Sequence, residues 1–274
     1  MVLSDTPPAP LPVLADFEVV RLIGDGNHGR FYLARPPARL GIDDEYVAVK
    51  VFAGQCSEDA YRRGTRELRA FAAVACPHLA RVYDAVLEEN FLYAMEWFPL
   101  GSLAAPARPL GHDHALRAVR DAALAVDALH EAGMAHGDIK PGNVMLTETG
   151  GKLSDLGLAR VFTAGAALTG MAPETSVEYL DPALLLGESP SRATDIWALG
   201  ATLHRVLAGS GLYGELPERQ PLLAIRAVQS QQPIVHASLG PDEGDVVRAC
   251  LAPLGERPGT AGEVAERITG LLAD

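Results

Sequence analysis

The run His136-Gly137-Asp138-Ile139-Lys140-Pro141-Gly142-Asn143, followed by Asp155-Leu156-Gly157, places two acids, a cation and an amide in turn-forming sequence after a long helical pattern. A carboxylate in such a loop can take the proton of a hydroxyl, and an amide with a second carboxylate offers the hard oxygens that Mg2+ prefers to His or Cys. Any one of these residues would pass for a solvated turn residue. Their combination at these separations would not.

Upstream, Gly24-Asp25-Gly26-Asn27-His28-Gly29 separates two strand-like segments. A GxGxxG run is weak evidence alone, and its dinucleotide-binding form passes from a strand into a helix, whereas here a strand follows. Glycines in a hairpin let the backbone lie close over phosphates, with N–H groups as donors. Val47-Ala48-Val49-Lys50 then closes an apolar strand on a lysine. Such a lysine is ordinarily a surface residue with a snorkelling stem. Glu67 on the next helix offers a partner that would hold it inward and aim it at a nucleotide phosphate.

The elements that must position these groups follow from periodicity. Phe17–Ile23, Phe31–Ala34 and Tyr46–Phe52 alternate as antiparallel strands, and two more are expected at Leu79–Leu87 and Phe91–Glu96. Residues 58–75 carry helical spacing through Leu68, Phe71 and Val74, stopped by Pro77. An alanine-rich helix is expected over Asp113–Gly133, and the chain beyond 157 is mostly helical. A β-rich first third and an α-rich remainder predict an α+β, two-lobed fold with a cleft between the lobes.

With 274 residues, 48% of them hydrophobic, the chain has enough apolar material for a sizeable core. A net charge of −12 argues against nucleic acid or an anionic membrane as main partner. Cys56, Cys76 and Cys250 show no CxxC spacing, which fits a reducing, cytoplasmic compartment. No window approaches 18 uninterrupted apolar residues, so no membrane insertion is expected. Residues 1–15, with four prolines, read as a short extended tail, and neither an anchor nor a second module is expected after the last helix.

In order and spacing these motifs resemble the bacterial, Hanks-type serine/threonine protein kinases: Gly-rich loop, Val-Ala-Val-Lys, helix glutamate, His-x-Asp-x-x-x-x-Asn loop and Asp-x-Gly. The resemblance spans about residues 17–272 and implies a kinase domain over 16–272. Its N-lobe would span about 16–95, its hinge 96–100 and its C-lobe 101–272. It implies that Asp138 orients and deprotonates the attacking hydroxyl, Lys140 steadies the γ-phosphate, and Asn143 with Asp155 holds Mg2+, with Mn2+ as an alternative ion. Gly24, Gly26 and Gly29 would cover the ATP phosphates, and Lys50, paired with Glu67, would contact the α- and β-phosphates. Met95 would be the gatekeeper, the backbone at Glu96 and Phe98 would meet adenine, and Ala48, Met145 and Phe31 would enclose the ring. Phe31 stands where the family more often has valine. Ser176 would bond Asp138 and Lys140. Small-molecule phosphotransferases of related fold generally lack a lysine two residues after the catalytic acid, and they lack the Asp195-Ile196-Trp197-Ala198-Leu199-Gly200 helix motif. A protein substrate is therefore implied, and a pseudokinase is the other reading to weigh.

Three positions depart from the family pattern. Gly137 replaces an arginine that pairs with a phosphorylated activation segment, so activity is expected not to depend on phosphorylation of Thr163, Thr169, Thr175 or Ser176. Leu156 replaces a phenylalanine. The segment 170–187 contains Met-Ala-Pro-Glu and later Leu-Asp-Pro-Ala. Counting back from Asp195, Ala183 rather than Glu174 takes the place of a structural glutamate. Arg257 would then face Ala183, and Asp181, Glu188 or solvent is expected beside it, with roughly a kilocalorie or more of lobe stability missing.

Overall fold

The computed structural model describes residues 11–26, 29–52, 58–87, 90–155, 177–217 and 220–273. Contacts divide the chain into two units, Met1–Tyr61 with Arg81–Trp97, and Arg62–Ala80 with Phe98–Asp274.

The first unit is built on an antiparallel sheet in the order β1-β2-β3-β5-β4, from β1 (Glu18–Gly26), β2 (Gly29–Arg35), β3 (Val47–Phe52), β4 (Val82–Leu87) and β5 (Phe91–Glu96). Alternation along β3 sends Val47 and Val49 to one face, where they join Tyr32, Ala34, Leu92 and Ala94 in a core. Ala48, Lys50 and Phe52 point to the other. Leu14 and Phe17 are buried in the first core, so the expected extended tail is already packed at Leu14. Burying two large apolar side chains outweighs the polyproline tendency of the residues before them. Arg39, donating to Asp16 and Asp84, ties this segment and the β2–β3 connection to β4.

Helix α1 (Glu58–Ala72) stops before Pro77 as expected, but its residues from Arg62 group with the second unit. The second unit is organised around α2 (His112–Glu131), whose buried Leu116, Val119, Val126 and Leu129 alternate with small alanines. Truncating one such leucine to alanine costs about 2–5 kcal/mol. The close approach that alanine permits lets α2 pack on α4 (Arg192–Ala208) and α7 (Ala261–Leu271). Helix α4 starts on a reciprocal Ser191–Thr194 capping box and ends at Gly209, where φ is +69°. Helices α3 (Pro182–Leu185), α5 (Pro221–Ser230) and α6 (Pro241–Cys250) each begin on proline, whose missing N–H is no loss in a first turn. Short strands β6 (Gly101–Ser102), β7 (Ala105–Pro106), β8 (Val144–Leu146) and β9 (Gly151–Leu153) form a second sheet, β7-β6-β8-β9, beside α2. Among the described residues no helix is long and apolar enough to cross a membrane.

Candidate active site

In the second unit the loop 136–143 hangs from one buried acid. Asp195, in the first turn of α4, accepts from the backbone N–H groups of His136 (2.7 Å) and Gly137 (2.8 Å), and His130 Nε2 lies 2.9 Å from its Oδ2. A carboxylate at a helix N-terminus is favoured by the helix dipole, and these three contacts satisfy it away from water. Gly137 has φ +75°, a left-handed backbone that glycine adopts without strain. His136 Nδ1 accepts from Asp138 N–H at 3.3 Å, which assigns the ring proton to Nε2, 3.2 Å from the Ser154 carbonyl. Burial lowers the pKa of this histidine, consistent with a neutral ring.

The loop then presents its polar side chains. Lys140 Nζ donates to both carboxylate oxygens of Asp138, at 3.1 and 2.9 Å. Asn143 Nδ2 donates to the Asp138 carbonyl at 2.7 Å and to its Oδ2 at 3.0 Å. The Asn143 carbonyl in turn accepts from Ser154 N–H at 2.8 Å and Ser154 Oγ at 3.1 Å, joining the catalytic-loop candidates to the end of β9. Asp155 follows there with φ +59°, a conformation rare for a residue other than glycine. Asp138 keeps 29% of its side chain exposed, enough for a hydroxyl to reach it. It lines a small depression with Ile139, Tyr179, Leu180 and Leu184.

Asp138, Lys140 and Asn143 are thus in mutual contact, with Asp155 on the adjoining strand end. With its amide nitrogen committed to Asp138, Asn143 keeps its side-chain oxygen as a neutral hard donor, and the Asp155 carboxylate comes one residue after Ser154, which bonds the Asn143 carbonyl. That pair fits Mg2+, which is ordinarily held by one or two protein oxygens with phosphate and water. Among the described residues no group of three or more His, Cys, Asp or Glu could hold a metal, as a transition-metal site would require.

In the first unit, Gly24, Gly26 and Gly29 lie at the β1–β2 turn, with Gly26 paired to Gly29. Gly29 has φ +137°, and a Cβ there would stand 2.0 Å from the Val51 carbonyl oxygen, so only glycine fits. Phe31 pairs with Lys50, Ala48 with Met95, and Lys50 with Tyr93. Lys50 is 8% exposed, and its ammonium lies over the rings of Phe31, Phe52 and Tyr93. Glu96 ends β5, exchanging hydrogen bonds with the backbone of Arg81. Phe98 and Met145 belong to the second unit, as does Glu67 on α1. Leu156, Gly157, Thr163, Thr169, Glu174, Thr175 and Ser176 lie outside the described residues.

Sequence reasoning missed His130, although a histidine at the end of the alanine-rich helix, six residues before His136, was there to find. It also missed Phe52 and Tyr93, whose approach to Lys50 depends on strand pairing. The deficit expected at Ala183 is made good by Asp181, which pairs with Arg257 while its other oxygen caps α3.

The family described as "Protein kinase domain" matches residues 17–252. Serine/threonine-protein kinase PknK of Mycobacterium bovis is 32% identical over 265 residues, covering 93% of this chain and 23% of that protein. Serine/threonine-protein kinase PknB of Mycobacterium leprae is 31% identical over 211 residues, covering 72% of this chain and 33% of that protein. The Mycobacterium tuberculosis PknB is 29% identical over 250 residues, covering 86% and 39%. The chain therefore spans between 23% and 39% of the length of these relatives. With its family matched over most of its length, this chain belongs to the protein kinases.

Proposed function

We propose that this chain transfers the γ-phosphate of ATP to serine or threonine hydroxyls of a protein substrate. The observation that carries the reading is Asp138, a partly exposed carboxylate oriented by Lys140 and Asn143 and lining a depression. Asp138 orients the incoming hydroxyl and takes its proton as that oxygen bonds to the γ-phosphorus and ADP departs. Lys140, two residues on, steadies the charge on the transferred group and distinguishes this loop from those acting on small molecules. Lys50 holds the α- and β-phosphates, and the backbone at Gly24, Gly26 and Gly29 covers them. Ala48, Phe31, Met95 and Met145 surround the base, and the backbone at Glu96 and Phe98 bonds its edge. Glu67 and Ser176 complete the set. Asn143 and Asp155 are the residues to hold Mg2+, which when bound neutralises phosphate oxygens.

Composition supports the reading. Of 23 basic residues only three are lysines, Lys50, Lys140 and Lys152. A chain that otherwise uses arginine keeps two ammonium groups at the two places where the reaction calls for a compact cation on phosphate. Free Cys76 and Cys250 suit a reducing, cytoplasmic setting. Purified protein incubated with radiolabelled ATP and Mg2+ should label itself or a generic basic protein on serine or threonine, and Asp138→Asn should not. Incorporation unaffected by Asp138→Asn, or none by either protein, refutes the assignment.

A further inference from the structure

Lys50 sits among three aromatic rings in a chain with only 6% aromatic residues. Strand pairing explains how. Phe31 on β2 and Tyr93 on β5 are the direct cross-strand partners of Lys50, and Phe52 lies two residues along β3, so all four side chains share one sheet face. The Lys50 ammonium is 4.9 Å from the Phe31 ring centroid, 5.2 Å from Phe52 and 6.0 Å from Tyr93, all within cation–π range. Phe52 is braced by Phe91 at 5.4 Å and by Tyr93 at 6.0 Å, so the cage is fixed from behind.

A lysine that is 8% exposed must recover the solvation it gives up. Ring faces supply negative potential without net charge. Resting on the kinase reading above, we infer that Phe31, Phe52 and Tyr93 form an aromatic cage that positions the Lys50 ammonium for nucleotide phosphate. Phe31, where valine is commoner in the family, is the discriminating member. Its ring reaches the ammonium from the strand that leaves the Gly-rich turn, so the cage ties that hairpin to the phosphate-binding cation.

The scarcity of lysine makes a direct test feasible. Protein labelled with 13C-lysine gives three sets of ε-methylene signals, one from each lysine. The Lys50 set, identified by its loss in Lys50→Arg, should be displaced upfield by ring currents. It should return toward the other two in Phe31→Val and keep its displacement in Phe31→Tyr. Binding of a non-hydrolysable ATP analogue, followed by calorimetry, should weaken about fivefold to thirtyfold in Phe31→Val, the range that one cation–π contact implies. KM for ATP should rise more than kcat falls. In a Lys50→Met background, Phe31→Val should weaken binding no further, which separates a role through the ammonium from a role in packing on the base. A displaced Lys50 signal in a wild-type protein that binds no nucleotide overturns the kinase reading and, with it, the phosphate role of the cage. Nucleotide binding with an undisplaced Lys50 signal, or with Phe31→Val changing neither signal nor affinity, overturns the cage alone.

Discussion

The guanidinium of Arg257 is clamped by the carboxylate of Asp181, with both side chains almost wholly buried. Arg257 also donates to the carbonyls of Ala252 (2.7 Å) and Ala193 (2.8 Å) and lies over the Trp197 ring at 5.1 Å. The acid of this pair has moved two residues from Ala183, and it does a second task by capping α3 through Ala183 N–H. Asp181→Ala would leave a buried cation without its counter-charge, a change that costs about 3–5 kcal/mol, with about 1 kcal/mol more for the cap. Urea denaturation should show that loss. Ala183→Glu added to Asp181→Ala should recover part of it. A single variant within about 1 kcal/mol of the wild type would show that the clamp is not structural.

Gly137 changes meaning once its backbone is seen. As a sequence feature it is a missing arginine, yet its φ of +75° and its N–H bond to Asp195 require the left-handed region in which side chains are strained. Replacing it by alanine should therefore destabilise the protein by about 1 kcal/mol or more, although alanine restricts the unfolded chain better than glycine. The denaturation midpoint decides the matter. A midpoint unchanged or raised in Gly137→Ala would mean that the turn is not held in this conformation.

The same glycine bears on regulation. No side-chain cation stands at position 137 to be relieved by a phosphate. Thr163→Val, Thr169→Val and Thr175→Val together should leave most phosphotransfer activity, with Ser176→Ala assayed separately because Ser176 belongs to the proposed substrate site. A loss of about a hundredfold in the Thr163 or Thr169 variant would establish phosphorylation dependence.

Local signals made much of this molecule legible. Asp138, Lys140 and Asn143 lie within six residues of chain, so a short loop brings them into contact almost whatever surrounds it. Valine-rich β3 and alanine-rich α2 declare themselves by period. What could not be read in detail depends on long separations: which backbone N–H groups Asp195 takes from the loop it anchors, which acid Arg257 meets, and the approach of Tyr93 to Lys50. Such pairs need the register of a sheet or the crossing of two helices. Asp181 could be named only as one acid among three choices, because sequence distance to Arg257 does not fix which side chain points inward.

His204 supplies a test through pH. It is fully buried on α4, and its Nε2 accepts from His236 N–H at 2.9 Å, so the ring proton lies on Nδ1. Burial, with the nearby charges of His236 and Arg205, lowers its pKa from 6.5 to about 4. Between those values the unfolded chain binds a proton that the folded one refuses, so this group withdraws stability as pH falls through the window. His136, lowered by burial, acts in the same sense. Glu178, raised by burial, acts oppositely, because a carboxyl that the fold prefers to keep protonated relieves a penalty as pH falls. The total pH dependence therefore mixes signs, and the difference between the wild type and His204→Gln isolates one group. Gln retains an acceptor for His236 N–H but does not titrate. Its urea midpoint should fall less than that of the wild type as pH drops from about 7 to about 4. Parallel curves would show that His204 takes up its proton at the same pH in the folded and unfolded protein, which would require the His236 hydrogen bond to be broken as it does so.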